Sequence, residues 1–256
     1  MNRFEERLQA LSRESLTGIR RGIEKESVRT RPDGALATTP HARTLGSALT
    51  HPHITTDFSE AQLELITAAR RGVLECLEEL RHIHQFVYRS LGSELLWCAS
   101  MPCNLPADEA IPLGRYGTSN VGRAKTVYRN GLAHRYGKRM QMISGIHYNF
   151  SLPDAAWAAM PHLGYGVRDS NTGYFGLIRN FRRHAWLLLY LFGASPAVCS
   201  TFVEGRDHGL EQLRPGTLYR PYATSLRMGR LGYQSDAQGS LAVSYNSLKN
   251  YGASLW

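Results

Sequence analysis

A chain of 256 residues has room for one large domain or two small ones, each with a real core. Its apolar content of 43% and charged content of 20% exclude disorder, and no apolar run is long enough for a membrane span; the best, "AWLLLYLFG" (185–193), is short and follows the charged "RNFRRH". A formal net charge of +9 raises nucleic acid as a partner, yet Lys and Arg are dispersed rather than blocked, which fits pockets for small anions at least as well.

The N-terminal "MNRFEERLQALSRESL" has the pattern of a charged amphipathic helix and lacks the apolar region of a signal peptide, so the cytoplasm is the expected compartment. "GIEKESVRT" (22–30) follows. On a helix Glu24 and Glu26 would diverge, whereas on a strand they share a face. The turn signal Arg31-Pro32-Asp33-Gly34 favours the strand and predicts a hairpin whose returning arm is "ALATT" (35–39). "DFSEAQLELIT" (57–67) reads as a loop entering a strand with Gln62, Glu64 and Ile66 on one face. Apolar spacing predicts a helix over 70–91 capped by Gly92, then a short strand at 95–102 and a helix over about 119–137. A strong strand is expected at 140–153 and a helix from Tyr174 to about Leu191, with a tail of short strands and loops. The resulting class is α+β with a mostly antiparallel sheet. Four cysteines, Cys76, Cys98, Cys103 and Cys199, form no zinc-ligand pattern and are expected as reduced, mostly buried thiols.

Three of these strands carry polar side chains where a buried sheet carries apolar ones. Glu24 and Glu26 share a face, Asp57 and Glu64 flank the second segment, and His147, Asn149 and Ser151 share a face of the third. If the strands are neighbours, four carboxylates and a histidine meet, and they cannot all ionise without a cation between them. Such a set suits Mg2+ or Mn2+ holding a nucleotide's phosphates, the histidine fitting Mn2+ better. "GLAHRYGKR" (131–139) fails as a P-loop because arginine replaces the hydroxyl residue, and "GYGVRD" (164–169) lacks the third dinucleotide glycine. An ATP site here is therefore of another kind.

"GIEKESVR", "LGSALTHPHITTDFSEAQLELIT", "SMPCNLP", "YGTSNVGRAKTVYRNGL", "SGIHYNFSLP", "LFGASPAVCS" and "PYATSLRMGRLGY", in order from about residue 16 to 250, resemble the proteobacterial glutamate–cysteine ligases. The resemblance implies a glutamine synthetase-like fold, a curved antiparallel sheet forming a funnel with metal ions and ATP on its inner face. It implies that residues 1–256 are the N-terminal part of a single catalytic domain. It places the metal ligands at Glu24, Glu26, Asp57, Glu64 and His147, and a polar contact beside the phosphates at Asn149. Arg227 matches an arginine that binds substrate or the transferred phosphoryl group, while Phe58, Tyr128, Arg129 and Tyr233 match a pocket for cysteine. The implied partners are L-glutamate, L-cysteine and ATP, with Mg2+ or Mn2+ as cofactor, no nucleic acid, no membrane, and a monomer if the chain is complete. ATP would phosphorylate the γ-carboxylate of glutamate, and the amine of cysteine would then displace phosphate, the first step of glutathione biosynthesis. Family members continue for about as long again, with another metal-binding glutamate and an ATP-contacting arginine in a "YIEVR"-like strand. Nothing here matches that strand, so a truncated form with little activity of its own is expected. The rival readings are an inactive remnant that still binds small molecules and a basic nucleic-acid-binding module.

Overall fold

The computed structural model describes residues 5, 12–163, 167–229, 231 and 243–255. Its organising element is β1 (Arg20–Thr30), which is paired along both edges. β3 (Gln62–Ile66) lies on one edge with β2 (Ile54–Thr56) outside it; β4 (Leu95–Leu96) and β5 (Ile146–Ser151) lie on the other. All the pairings are antiparallel. Glu24 and Glu26 therefore stand in mid-sheet rather than on a solvated edge.

The back of this sheet is apolar because a helix covers it. Leu63 and Leu65 of β3 and Ile54 of β2 pack with Ile83 and Val87 of α2 (Val73–Ser90), closed by Leu45 and Leu91. Each such side chain, fully buried, contributes about 1.5–3 kcal/mol. The helix ends as its sequence predicts, with Leu91 still helical and Gly92 at φ +62°. α1 (Arg13–Thr17) precedes the sheet.

The front of the sheet changes character along β1. By the strand period of two, Val28 continues the row of Glu24 and Glu26, yet it belongs to a second core with Leu36, Phe58, Leu105, Ile111, Met140, Met142 and Phe202. α3 (Asn120–Tyr136) begins where Ser119 accepts a hydrogen bond from the Gly122 amide, and α4 (Lys138–Gln141) follows it. Beyond β5 come α5 (Asp154–Ala159) and α6 (Ser170–Phe192), then a small antiparallel sheet of β6 (Ala197–Cys199), β7 (Glu211–Arg214) and β8 (Thr217–Tyr219), and finally α7 (Leu248–Leu255). None of the helices among the described residues is long and apolar enough to cross a membrane.

Three expected elements differ. "ALATT" does not return as a strand: the turn forms, with Gly34 at φ +80° and Asp33 accepting from the Ala35 amide, but only a Thr30–Leu36 bridge follows. The strand expected at 95–102 shrinks to Leu95–Leu96, because β1 offers only Arg29 and Thr30 to it. Of the expected 140–153 strand, residues 140 and 141 belong instead to α4, whose first turn is tied to Asp108 through the Lys138 and Arg139 amides, and only Ile146–Ser151 is strand. The cysteines differ as well. Cys76 is buried, Cys199 is half-buried, and Cys98 and Cys103 are exposed.

Candidate metal and phosphate site

Strand register builds the site. Glu26 faces Glu64 across β1 and β3, Glu24 faces His147 across β1 and β5, and Asn149 stands opposite Gly22. Directly paired residues project to the same side of a sheet, so the five side chains share the front face. One ligand atom from each of Glu24, Glu64 and His147 falls within 4.8 Å of the others.

The charges are arranged unfavourably for an isolated protein. Burial, and then Asp57, Glu26 and Glu24, push Glu64 up to about 7. Burial also raises Glu26 and Asp57, against the Gly145 amide in the first case and the Arg129 guanidinium in the second. Such a cluster attracts a cation, and three oxygen- and nitrogen-bearing side chains converging this closely fit a divalent one.

Hydrogen bonds fix the orientation of each ligand. Glu24 Oε2 lies 3.1 Å from His147 Nδ1, and Glu24 Oε1 accepts from Asn149 Nδ2 at 3.0 Å. The hydrogen bond between His147 and Glu24, more than any other influence, raises His147 above its ordinary value. When Nδ1 donates to Glu24, Nε2 keeps its lone pair for a ligand. Glu26, 9% exposed, accepts from the Gly145 amide at 2.8 Å and from Gln62 Nε2 at 3.4 Å.

The remaining expected residues are placed as follows. Asp57 is outside the tight trio but close enough to raise Glu64, and its carbonyl accepts from Arg129 Nε and from the Tyr116 hydroxyl. Arg129 itself is 8% exposed, donates to the Lys125 carbonyl at 3.0 Å, and lies over the Tyr116 ring at 4.5 Å. Phe58, 1% exposed, is interior packing in the front core, whereas Tyr128 is exposed on α3. These pocket residues do not share an open surface. Arg227 sits in a tight turn, Leu226–Met228, started by Ser225 and packed near α6. Tyr233 lies outside the described residues.

Sequence reasoning missed Gln62 as a second support of Glu26, and missed Gly145 and Tyr116. The glycine had a signal, since a glycine just before a strand marks close backbone approach. A Cβ at Gly145 would stand 3.3 Å from His147 Nε2 and 3.8 Å from Glu26 Oε2. Tyr116 had none, because its contacts come from a distant loop.

Fold and site together define an α+β protein built round an open, acidic sheet face. The profile of the family described as glutamate-cysteine ligase matches residues 6–256, and the chain belongs to that family. The glutamate–cysteine ligase of Alcanivorax borkumensis is 54% identical over 263 residues, covering 100% of this chain and 50% of its own length. That of Saccharophagus degradans is 56% identical, covering 92% and 46% respectively. Among solved structures, the Francisella tularensis glutamate–cysteine ligase in complex with AMP superposes with a TM-score of 0.84 at 40% identity, over 93% of this chain and 47% of its own. A bifunctional glutathione synthetase from Pasteurella multocida gives 0.79 at 34% identity, over 100% and 32%. The chain thus spans about half the length of the curated relatives it matches.

Proposed function

We propose that this chain carries the cation- and phosphate-holding face of an ATP-dependent ligase joining the γ-carboxylate of L-glutamate to the amine of L-cysteine. The observation that supports this most is the convergence of Glu24, Glu64 and His147 on adjacent strands of a glutamate–cysteine ligase family fold. Glu24, Glu26, Asp57, Glu64 and His147 are the residues we assign to Mg2+ or Mn2+. A divalent cation there supplies neutralising charge for the phosphates of ATP. The chain's own part is to hold the donors in place. Glu24 sets the His147 tautomer, and the Gly145 amide and Gln62 aim Glu26. Arg129 and Tyr116 fix the backbone of Asp57. Asn149 and Arg227 are assigned to phosphate, and Tyr128, Arg129 and Tyr233 to the cysteine side; Phe58, buried in the core, can support that side only from within. Arg129 is placed to act through Asp57, whose carbonyl it holds. With γ-glutamyl phosphate as the activated species, cysteine nitrogen attacks the acyl carbon and phosphate leaves, so no covalent enzyme nucleophile is required.

The test is phosphate release measured with and without each amino acid, beside calorimetric titration of Mn2+ and Mg2+-ATP. Release that needs both glutamate and cysteine, abolished at least a hundredfold by Glu24→Gln in the full-length setting, is the expected result. Full activity in Glu24→Gln at saturating Mg2+, or release indifferent to both amino acids, would overturn the assignment.

A further inference from the structure

Like charges gather at a second place, of opposite sign to the acidic face. α6 carries Arg179, Arg182 and Arg183 at spacings of three and four, which put them on one side of the helix. They line an open cavity of about 400 Å³ together with Val243, Ser244, Tyr245 and Asn246, the segment just before α7. No lining residue is acidic, and the sequence has no Asp or Glu from 170 to 203 or from 237 to 256. None of the three arginines is in an ion pair among the described residues.

Two of the guanidinium groups are held in place by the facing segment. Arg179 Nη1 donates to the Tyr245 carbonyl at 2.6 Å, and Arg182 Nη1 donates to the Tyr245 hydroxyl at 3.0 Å. The Arg182 guanidinium also lies over the Tyr245 ring, 4.6 Å from its centre. Tyr245 is fixed in turn. Its ring meets Tyr251 of α7 at 5.6 Å, and Tyr251 meets the buried Phe175 of α6 at 5.9 Å. The Ser244 amide donates to Ser254 Oγ at 3.2 Å, which ties the same segment to α7. Each of these arginine bonds uses one N–H of five, so both forks keep donors for a ligand.

We propose that this cavity is a second anion site, separate from the acidic face, and that it takes a di- or triphosphate group. Three permanently charged side chains on one helix face repel each other, and an anion between them removes the conflict. Arginine forks match phosphate oxygens in pairs, and Ser244 and Asn246 line the same space with neutral donors. A monocarboxylate would answer one of the three charges, whereas a di- or triphosphate carries enough to meet them all. The volume lies within the range of small-molecule sites. The acidic face can hold phosphate only through a cation, but this site needs none, so the two are separable in metal-free buffer.

Calorimetric titration of the 256-residue chain with pyrophosphate, in metal-free buffer at low salt, tests this. One equivalent should bind, and added salt should weaken it. Arg183→Gln removes a side chain that bonds to neither neighbour segment, so it should leave the melting temperature unchanged and weaken binding about tenfold or more. Arg183→Lys should fall between, because it keeps the charge and loses the fork. Arg89→Gln removes the same charge from α2 and should bind as the wild type does. Parallel titrations with ATP and with acetate define the ligand. ATP binding at least as tightly as pyrophosphate supports a nucleotide as its source, and weaker ATP binding supports the inorganic ion. Acetate binding as tightly as pyrophosphate, no saturable binding of pyrophosphate, or equal losses in Arg183→Gln and Arg89→Gln would each overturn the proposal.

Discussion

Glu26 of β1 and Glu64 of β3 stand directly opposite each other across an antiparallel pair in the middle of a sheet. Like charges in that relation repel, and sheets ordinarily avoid them. Here burial makes the conflict worse, and it is concentrated on Glu64, which is pushed up to about 7. A fold that keeps such a pair is built for something that neutralises it.

The first prediction follows from the sign of that shift. Glu64 titrates near its ordinary 4.5 in the unfolded chain and near about 7 in the fold, so folding favours its protonated form. Its contribution to stability is full below the unfolded value and is lost as pH rises through the folded one. Metal-free Glu64→Gln cannot ionise and should melt above the wild type at pH 8, by on the order of 1 kcal/mol once partial exposure is allowed for. At pH 4.5 the gap should close. Saturating Mn2+ at pH 8 should reverse the order by stabilising only the wild type. Thermal melts in chelator and in Mn2+ read all three. A metal-free variant that melts lower at pH 8 would contradict the electrostatic account.

Gly145→Ala tests the geometry without touching a donor. Its Cβ would press on His147 Nε2 at 3.3 Å and approach Glu26 Oε2 at 3.8 Å. The chain should fold normally and lose about tenfold in Mn2+ affinity, the usual size of effect when a ligand is pushed off its aim. Calorimetric titration decides it. Unchanged affinity would mean that neither His147 Nε2 nor Glu26 takes part in holding the cation.

The acidic face was legible because strand parity is a local property. Glu24, Glu26, Glu64 and His147 each declare their side of a strand by counting in twos, and only the adjacency of the strands had to be supplied. What supports them was not legible. Asp57 is anchored by Arg129 and Tyr116, 72 and 59 positions away, and nothing in a local pattern reports that. The expected cysteine pocket met the same obstacle. Phe58 faces inward to the core because its loop turns over Gln62, whose carbonyl and side chain receive the Asp57 and Phe58 amides.

Arg129→Lys separates anchoring from substrate contact. Lysine keeps the charge but loses the fork that reaches both the Asp57 and Lys125 carbonyls, and it stacks less well on Tyr116. The variant should lose about 1.5–3 kcal/mol of stability, the range for hydrogen bonds that involve a charged group. In the full-length setting its metal affinity should fall with it. A rise in the KM for cysteine alone, at unchanged melting temperature, would instead assign the guanidinium to the substrate.

The last prediction concerns why residues 35–39 never become a strand. Arg29 of β1, with its side chain 2% exposed, donates from Nη1 to Thr39 Oγ1 and from Nη2 to the Thr39 carbonyl, at 2.6 and 2.7 Å. It also pairs with Glu94 at 2.6 Å and donates to the Glu60 carbonyl at 2.9 Å. The returning arm stops because the edge of β1 it would extend along is taken: the Arg29 amide donates to the Ala61 carbonyl, and β3 pairs with β1 from Val28 back to Glu24. The guanidinium holds the diverted arm at Thr39 and ties three segments to β1 at once. Removing one partner of a buried pair leaves an uncompensated charge, which costs about 3–5 kcal/mol. Glu94→Gln should approach the lower end, since Thr39 and Glu60 still satisfy part of the arginine, and Arg29→Met should be less harmful than Arg29→Ala because it fills the space. The double variant Arg29→Met/Glu94→Leu should recover much of the loss, as an apolar pair replaces an ionic one. Urea unfolding of the four variants checks the order. If Glu94→Gln melts like the wild type, Thr39 and Glu60 alone hold the arginine, and Glu94 is a spectator.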